Sequence, residues 1–264
     1  MKLCWFTTGR EREDLTLLKD VWEAMEENAI GYKITLVFLN SEKGESPESD
    51  ELIAFAEAEG IPVETLSSRR FSENQGLTPD ERRKLFDSRV MAKIGKHDCN
   101  CILLAGYTPI LSSVLLGHLP ALGLHPSLPG ACKGKREQVI TKTIDKGIRT
   151  FGAMVHLVDE SILGGQPVSF VKLELEGRGF EEFFNNAFRG DRTSFDHLFK
   201  FMRQAGSAAE APLLIETLSL LAKGDITAVD GKVLSNGEPV PGGIDMTDRV
   251  LAVLKAKSSL SAEA

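Results

Sequence analysis

Short apolar runs and helical periodicities follow one another along the first half of the chain. The apolar segments 2–8, 32–40 and 99–107 have the length and composition of buried strands. Between them, 13–29 and 48–60 carry apolar residues at helical spacing. Strands that alternate with helices in this order predict an α/β fold with a doubly wound, mostly parallel sheet.

The second half continues the pattern with more helix. The elements expected there are, in order, a helix at 136–147, strands at 151–160 and 167–175, a helix at 210–224, a hairpin at 231–243 and a terminal helix at 246–257. We expect residues 1–175 to form a Rossmann-type domain. Residues 176–264 are predicted to pack on it as a helical insert and a C-terminal extension.

A cluster of phenylalanines marks the insert. The segment 179–206 contains seven of the fourteen phenylalanines, and Phe180, Phe183, Phe184 and Phe188 share one helical face. A helix packed on its own domain is the simplest interpretation. A homodimer interface or a lid over a pocket is the alternative, because exposed aromatic patches usually have a partner.

Composition and charge narrow the function. A net charge of −7 argues against a general role at nucleic acids or membrane surfaces, which need basic patches. We therefore expect a small-molecule substrate, with no nucleic acid and no membrane as partner. The start of the chain lacks the pattern of a signal peptide, and the four cysteines have no disulfide-framework spacing. These features predict a cytoplasmic protein.

A metal site is not expected from this sequence. Residues 97–101, "HDCNC", hold a histidine and two cysteines, but no second cluster completes four ligands. Two cysteines that enter a buried strand are the better interpretation.

Two candidate site segments follow predicted strands. Tyr107 ends the run 99–107, and the loop 123–134, "GLHPSLPGACKG", contains His125 beside two prolines. Ligands of doubly wound sheets bind beyond the carboxyl ends of the strands. The topology alone therefore predicts a binding site near these residues.

Four stretches of the chain form a recognisable set of motifs: "LLAGYTPILS" (103–112), "LHPSLPG" (124–130), "TFGAMVHLVDESILGGQPV" (150–168) and "LLAKGDITAVDGKVLSNGEPVPGG" (220–243). In this order they resemble the folate-dependent formyltransferases, most of all the branch that formylates glycinamide ribonucleotide in purine biosynthesis. The resemblance implies that family's Rossmann-like fold. It also implies transfer of a formyl group from 10-formyltetrahydrofolate, as co-substrate, to an amine.

The family's catalytic pattern is only partly present. The resemblance places His125 on the catalytic histidine, Gly123 on an asparagine and Leu163 on an aspartate, with Ile162 as the alternative after a slip of one residue. An amide donor, an imidazole and a carboxylate converging on one carbon would stabilise an oxyanion and move protons. Here only the imidazole remains.

This loss leaves three hypotheses open. The protein is a formyltransferase with an altered site, a catalytically degenerate protein that binds a ligand or regulates a partner, or an enzyme of another reaction with His125 as general base. Asp159 or Glu160, shortly before Leu163, could supply the missing acid.

The resemblance also implies two ligand-binding loops. The main chain at Tyr107, Thr108, Ile110 and Leu111 would contact the folate, although Pro109 removes one backbone donor. A pterin would then bind in an altered pose.

The first loop would contact the acceptor. Thr8, Gly9 and Arg10 would hold an anionic group of the acceptor, as expected at a helix N-terminus. The acidic residues Glu11, Glu13 and Asp14 oppose this, although such residues also favour the first helical turn.

His156 lies in the middle of a predicted strand, where the family also has a histidine. We interpret it as a satisfied structural residue rather than a catalyst.

Overall fold

A computed structural model describes residues 1–28, 31–71, 76–161, 165–176, 180–229 and 231–263. The chain divides into two compact units. The first consists of Met1–Leu124, His156–Gln166 and Leu218–Ile226, and the second of His125–Val155, Pro167–Thr217 and Thr227–Ala264.

The first unit is built on parallel strands. These are β1 (Lys2–Thr7), β2 (Lys33–Leu39), β3 (Val63–Thr65), β4 (Cys101–Leu104) and β5 (Ala121–His125). They lie in the order β5-β4-β1-β2-β3, and each neighbouring pair is parallel. The predicted mostly parallel α/β sheet is confirmed. The strand predicted at 99–107 is shorter than expected, because the chain turns at Gly106, which has a φ of +74°.

Four helices connect these strands: α1 (Arg12–Asn28), α2 (Pro47–Ala58), α3 (Pro79–Ile94) and the short α4 (Ser113–Leu116). Helix α3 begins with a capping box, in which Thr78 and Glu81 satisfy each other's backbone N–H groups. Apolar side chains of strands and helices form the core of this unit. Those less than 2% exposed include Leu3, Trp5, Phe6, Ile34, Phe38, Leu52, Ile94, Ile102 and Leu103.

The second unit is richer in helix. Its elements, wholly or in large part, are α5 (Arg136–Asp145), β6 (Thr150–Leu157), β7 (Pro167–Glu174), α6 (Phe180–Phe188), α7 (Arg192–Lys223), β8 (Ile226–Val229), β9 (Lys232–Ser235), β10 (Glu238–Pro239), β11 (Ile244–Asp245) and α8 (Thr247–Glu263). The residues of β6, α7 and β8 that fall within His156–Gln166 and Leu218–Ile226 belong to the first unit. Strand β11 pairs with β7 in parallel, and β9 pairs with β10 as an antiparallel hairpin. The hairpin predicted around "SNGE" is confirmed, with Asn236 and Gly237 at positive φ.

One helix prediction is wrong. Residues 192–223 form a single helix of 32 residues that continues through Pro212, whereas the sequence pattern placed a break before residue 210. A proline inside a helix removes one hydrogen bond and costs about 3 kcal/mol. The buried residues on both sides of it, Ala209, Ala211, Leu213 and Leu214, are at most 3% exposed, so tertiary packing offsets that cost.

The phenylalanine cluster packs partly within the second unit. Phe184 is buried, and the ring centroid of Phe180 lies 4.6 Å from that of Phe201. Phe183 and Phe188 are 39% and 67% exposed. The homodimer through this region stays a prediction.

Gly152 and Gly206 make a matched pair of stability tests in the second unit. A Cβ at Gly152 in β6 would collide with the carbonyl oxygen of Val171 and press on Leu128. At Gly206 in α7 it would meet only Phe151, at an ordinary 3.9 Å. We expect Gly152→Ala to lower the free energy of unfolding by about 1–3 kcal/mol. Gly206→Ala should raise it by about 0.5–1 kcal/mol.

Urea unfolding followed by circular dichroism measures both effects. Equal stability of the two variants would contradict the close approach of Gly152 to the carbonyl oxygen of Val171.

Candidate functional site

Hydrogen bonds join the two candidate ligand loops of the first unit. Thr8 donates its backbone N–H to the carbonyl oxygen of Gly106 at 3.1 Å. Its hydroxyl oxygen accepts from the backbone N–H of Thr108 at 3.1 Å and lies 3.3 Å from the Thr108 hydroxyl. The sequence placed Thr8 with the acceptor and Thr108 with the folate. The structure brings both to the carboxyl edge of β1 and β4.

The second of these loops is anchored by its side chains in the core. Leu111 is fully buried. The ring of Tyr107 packs edge-on against Phe6 at 5.2 Å, and its hydroxyl is buried without a hydrogen-bond partner among the described residues. Burial raises the pKa of Tyr107 well above its ordinary value. Leu111 can therefore offer a ligand only its main chain, and the hydroxyl of Tyr107 faces the core. Tyr107 and Ile110 are half-buried, and Thr108 is exposed.

Asp87 of α3 holds the end of this loop. Its carboxylate is 2% exposed and accepts the backbone N–H of Ser112 at 2.6 Å. Burial raises the pKa of Asp87, and the hydrogen bonds from Ser112 oppose that shift. This residue is not among those predicted from the sequence. A lone aspartate on the apolar face of α3, between Phe86 and Val90, was the available signal.

The first loop satisfies its own backbone donors. Besides the bond from Thr8, Gly9 donates to the hydroxyl of Thr7 at 3.2 Å, and Glu11 donates to the carboxylate of Asp14 at 3.4 Å. Asp14 is 6% exposed, and its carboxylate lies against the Cα of Gly106. A buried carboxylate beside engaged N–H groups makes this loop a poor cradle for a phosphate.

His125, the last residue of β5, belongs to the second unit. It is 7% exposed, and its carbonyl oxygen accepts from Ser127 at 2.9 Å. The loop that follows ends at Arg136, whose guanidinium donates to both carboxylate oxygens of Glu210 at 2.7 and 3.0 Å. This bidentate ion pair fixes the far end of the loop.

In the first unit, His156 fills the space beside Gly123. A Cβ at Gly123 would lie 2.6 Å from Nε2 of His156 and 3.2 Å from a methyl group of Val158. Nδ1 of His156 lies 2.7 Å from the carbonyl oxygen of Leu157. Burial lowers the pKa of His156, while the Leu157 carbonyl and the charge of Asp159 raise it. The structure thus puts an imidazole where the sequence showed an empty position.

The position assigned to the family aspartate, Leu163, lies outside the described residues, as does its alternative, Ile162. The two candidate replacement acids are both exposed, and the carboxylate of Asp159 is held by its neighbour. Asp159 accepts from the backbone and the hydroxyl of Ser161 at 2.8 and 2.7 Å. Glu160 contributes to raising the pKa of Lys84, behind the larger effect of Asp80.

Metal ligands are not grouped in the described part of the chain. Within it, no cluster of three or more His, Cys, Asp or Glu side chains could hold a metal ion. Within the same residues, no helix is long and apolar enough to cross a membrane.

Comparison with known proteins shows the family to which the chain is similar. The chain matches the formyl transferase family over residues 11–180. The phosphoribosylglycinamide formyltransferase of Schizosaccharomyces pombe is 30% identical over 116 residues, 41% of this chain and 55% of that protein. That of Saccharomyces cerevisiae is 34% identical over 100 residues, 35% of this chain and 47% of that protein. The chain spans about half the length of these curated relatives.

A solved structure shares the fold. The phosphoribosylglycinamide formyltransferase of Coxiella burnetii, in complex with CHES, superposes with a TM-score of 0.70 at 18% identity. The match covers 93% of this chain and 98% of that chain.

The anchoring role of Asp87 can be tested by stability. Asp87→Ala leaves the buried N–H of Ser112 without its acceptor, so we expect a loss of about 1–3 kcal/mol in the free energy of unfolding. Asp87→Asn keeps an acceptor oxygen and should lose less. Urea unfolding of the three proteins at neutral pH measures the difference. Equal stability of Asp87→Ala and wild type would contradict the anchor.

The pH dependence of the same proteins tests the shifted pKa. Because the pKa of Asp87 is raised in the folded state, the folded protein binds its proton more tightly than the unfolded chain. The stability that this tighter proton binding contributes is fully present below about pH 4, the ordinary aspartate pKa. It is lost as the pH rises through the pKa of Asp87 in the folded protein. Unfolding at a series of pH values should show this decline in wild type and a flatter profile in Asp87→Asn.

Proposed function

Because the chain belongs to the formyl transferase family, we propose that it transfers a formyl group from 10-formyltetrahydrofolate to an amine. Formyltetrahydrofolate is the co-substrate of related proteins in this family. The observation that carries the proposal is the loop 106–112, whose Tyr107 and Leu111 side chains point into the core. Its main chain is left at the ligand edge of the sheet.

A loop of this kind suits the edge of a flat heterocycle. Backbone N–H and C=O groups at Thr108, Ile110 and Leu111 would pair with the ring, apart from the Thr108 N–H, which is held by Thr8. Asp87 keeps the end of the loop in place through Ser112. The pterin would therefore meet a pre-formed main-chain edge, and little conformational entropy would be lost on binding.

The reaction needs charge stabilisation and proton transfer. The amine attacks the formyl carbon, the carbonyl oxygen gains negative charge, and the bond to the folate nitrogen then breaks. His125 is the family's catalytic histidine by resemblance and would stabilise that oxygen. The resemblance assigns no polar side chain to help it at Gly123.

The acceptor is an amine that contacts the loop of Thr8, Gly9 and Arg10. Glycinamide ribonucleotide is the first acceptor to test, since the likeness to phosphoribosylglycinamide formyltransferases supports a role in purine biosynthesis. The carboxylate of Asp14 would repel the phosphate of such a substrate at this loop. Asp14 thus sets a preference for acceptors with less negative charge.

A second candidate function is ligand binding without turnover. Gly123 offers no side-chain donor, which favours a protein that has kept the fold and the folate loop but lost catalysis. Both candidates require donor binding, so turnover separates them.

Calorimetric titration with a non-hydrolysable analogue of 10-formyltetrahydrofolate tests the first step. We expect a dissociation constant on the order of micromolar, a binding free energy of about −8 kcal/mol. With an active acceptor, His125→Ala should reduce kcat by about 10²- to 10³-fold and leave analogue affinity nearly unchanged. His197→Ala, at a partly exposed position in α7, is the control. Absence of analogue binding at high concentration would overturn the proposal, and binding without turnover would favour the second candidate.

Replacement of Asp14 tests the acceptor loop. Asp14→Asn keeps the side-chain oxygen that accepts from Glu11 and removes the charge. We expect KM for glycinamide ribonucleotide to fall by about 5- to 10-fold, and KM for an uncharged amine to stay the same. Steady-state kinetics at low and high salt measure this, because the charge effect should shrink as salt rises. Equal changes for both acceptors would remove Asp14 from phosphate discrimination.

A further inference from the structure

Gly123 is the middle residue of β5 and lies near the carboxyl edge of the sheet. It pairs in register with Leu104, the last residue of β4, and the folate loop follows β4 directly. In parallel sheets, bound molecules lie beyond these carboxyl ends. The backbone of Gly123 therefore borders the region in which the proposed function places the formyl donor.

The imidazole of His156 reaches this position because residue 123 has no side chain. Nε2 lies 2.6 Å, and Cε1 3.0 Å, from the point that a Cβ would occupy. A glycine inside a strand loses packing, and it often marks the close approach of another group. Here the group that approaches is a titratable ring.

The ring is fixed in one tautomer. A carbonyl oxygen only accepts hydrogen bonds, so Nδ1 of His156 must donate its proton to Leu157, at 2.7 Å. In the neutral ring Nε2 then carries a lone pair. The hydrogen bond and the burial of the residue, 6% exposed, hold Nε2 beside the point that a Cβ of Gly123 would occupy.

We propose that His156 is a catalytic residue whose Nε2 accepts the proton of the attacking amine. The inference rests on the proposed function. The amine nitrogen forms a bond to the formyl carbon, its proton passes to Nε2, and the carbonyl electron pair moves to oxygen. When the bond from carbon to N10 of the folate breaks, the proton passes from Nε2 to N10. The products are the formamide and tetrahydrofolate, so atoms and charge balance.

The electrostatics of the ring suit a base. Burial lowers the pKa of His156, which keeps the imidazole neutral at physiological pH. Asp159 is the charged group that acts on the ring and opposes this shift, and its carboxylate is held by Ser161. A neutral imidazole with a buried lone pair is ready to take a proton.

A comparison of His156 with His118 tests the proposal, because in both residues Nδ1 lies at hydrogen-bonding distance from a backbone carbonyl oxygen. His118 also has its Nδ1 2.7 Å from a backbone carbonyl, that of Val114, but it is exposed on the surface. We expect His156→Ala to lower kcat by about 10²- to 10⁴-fold, and His118→Ala to leave it unchanged. Affinity for the 10-formyltetrahydrofolate analogue should stay within about twofold in both variants.

Rescue of turnover by added imidazole distinguishes a catalytic role of His156 from a purely structural one. His156→Ala opens a space beside Gly123, and free imidazole should restore part of the lost turnover there. In wild type, kcat/KM should fall only below about pH 6.5, and this limb should be absent from the residual activity of the variant. Loss of turnover without rescue and with an unchanged pH profile would overturn the proposal.

Gly123→Ala gives a second test that does not depend on truncating the histidine. The added methyl group would displace Nε2, so kcat should fall by about 10²-fold in wild type. In the His156→Ala background the same change should have little further effect, because the ring is already gone. Additive losses in the two variants would contradict the assignment.

The outcomes separate the two proposals. If the wild-type protein does not bind the analogue, the proposed function fails. If it binds and turns over but His156→Ala is as active as His118→Ala, only the role of His156 fails. Thermal unfolding of each variant identifies a loss of fold. If His156→Ala does not fold, Gly123→Ala in the wild-type background decides, and an unchanged kcat in that folded variant would overturn the role of His156.

Discussion

The parallel pairing of β1 with β2 on one side and β4 on the other is the constraint on which the first unit depends. Trp5 and Phe6 lie in register between the two neighbouring strands and are completely buried. Because all three strands run the same way, the loops after β1 and β4 leave the sheet at one edge. The contacts between Thr8, Gly106 and Thr108 exist only because that edge is shared.

A polar functional group at such an edge can come from different residues of the chain. Gly123 has no side chain, and the imidazole of His156 lies beside the point that a Cβ would occupy. A side chain from a different segment can thus occupy the same volume with a different protonation behaviour. A position-by-position comparison of motifs reports only that Gly123 lacks the family's asparagine side chain. It contains no information on which other side chain lies at that point in space.

Much of the first unit could be predicted from its sequence. The strand and helix periodicities predicted the parallel α/β class, and the topology predicted that Tyr107 would follow a strand at the carboxyl edge of the sheet. That these loops bind ligands stays a prediction. The long helix through Pro212 was missed because its stability comes from tertiary packing, which a local proline rule cannot register. The proximity of His156 to Gly123 was missed for a similar reason. It joins residues 33 positions apart, and no spacing rule connects a strand glycine to a distant imidazole.

The hydrogen bonds between Thr8 and Thr108 have a thermodynamic consequence. They make the conformation of one ligand loop a condition for that of the other. Because each loop braces the other in the free protein, a substitution that loosens one of them also loosens the other. Replacement of Thr8 would therefore disturb the loop after β4 as well as its own.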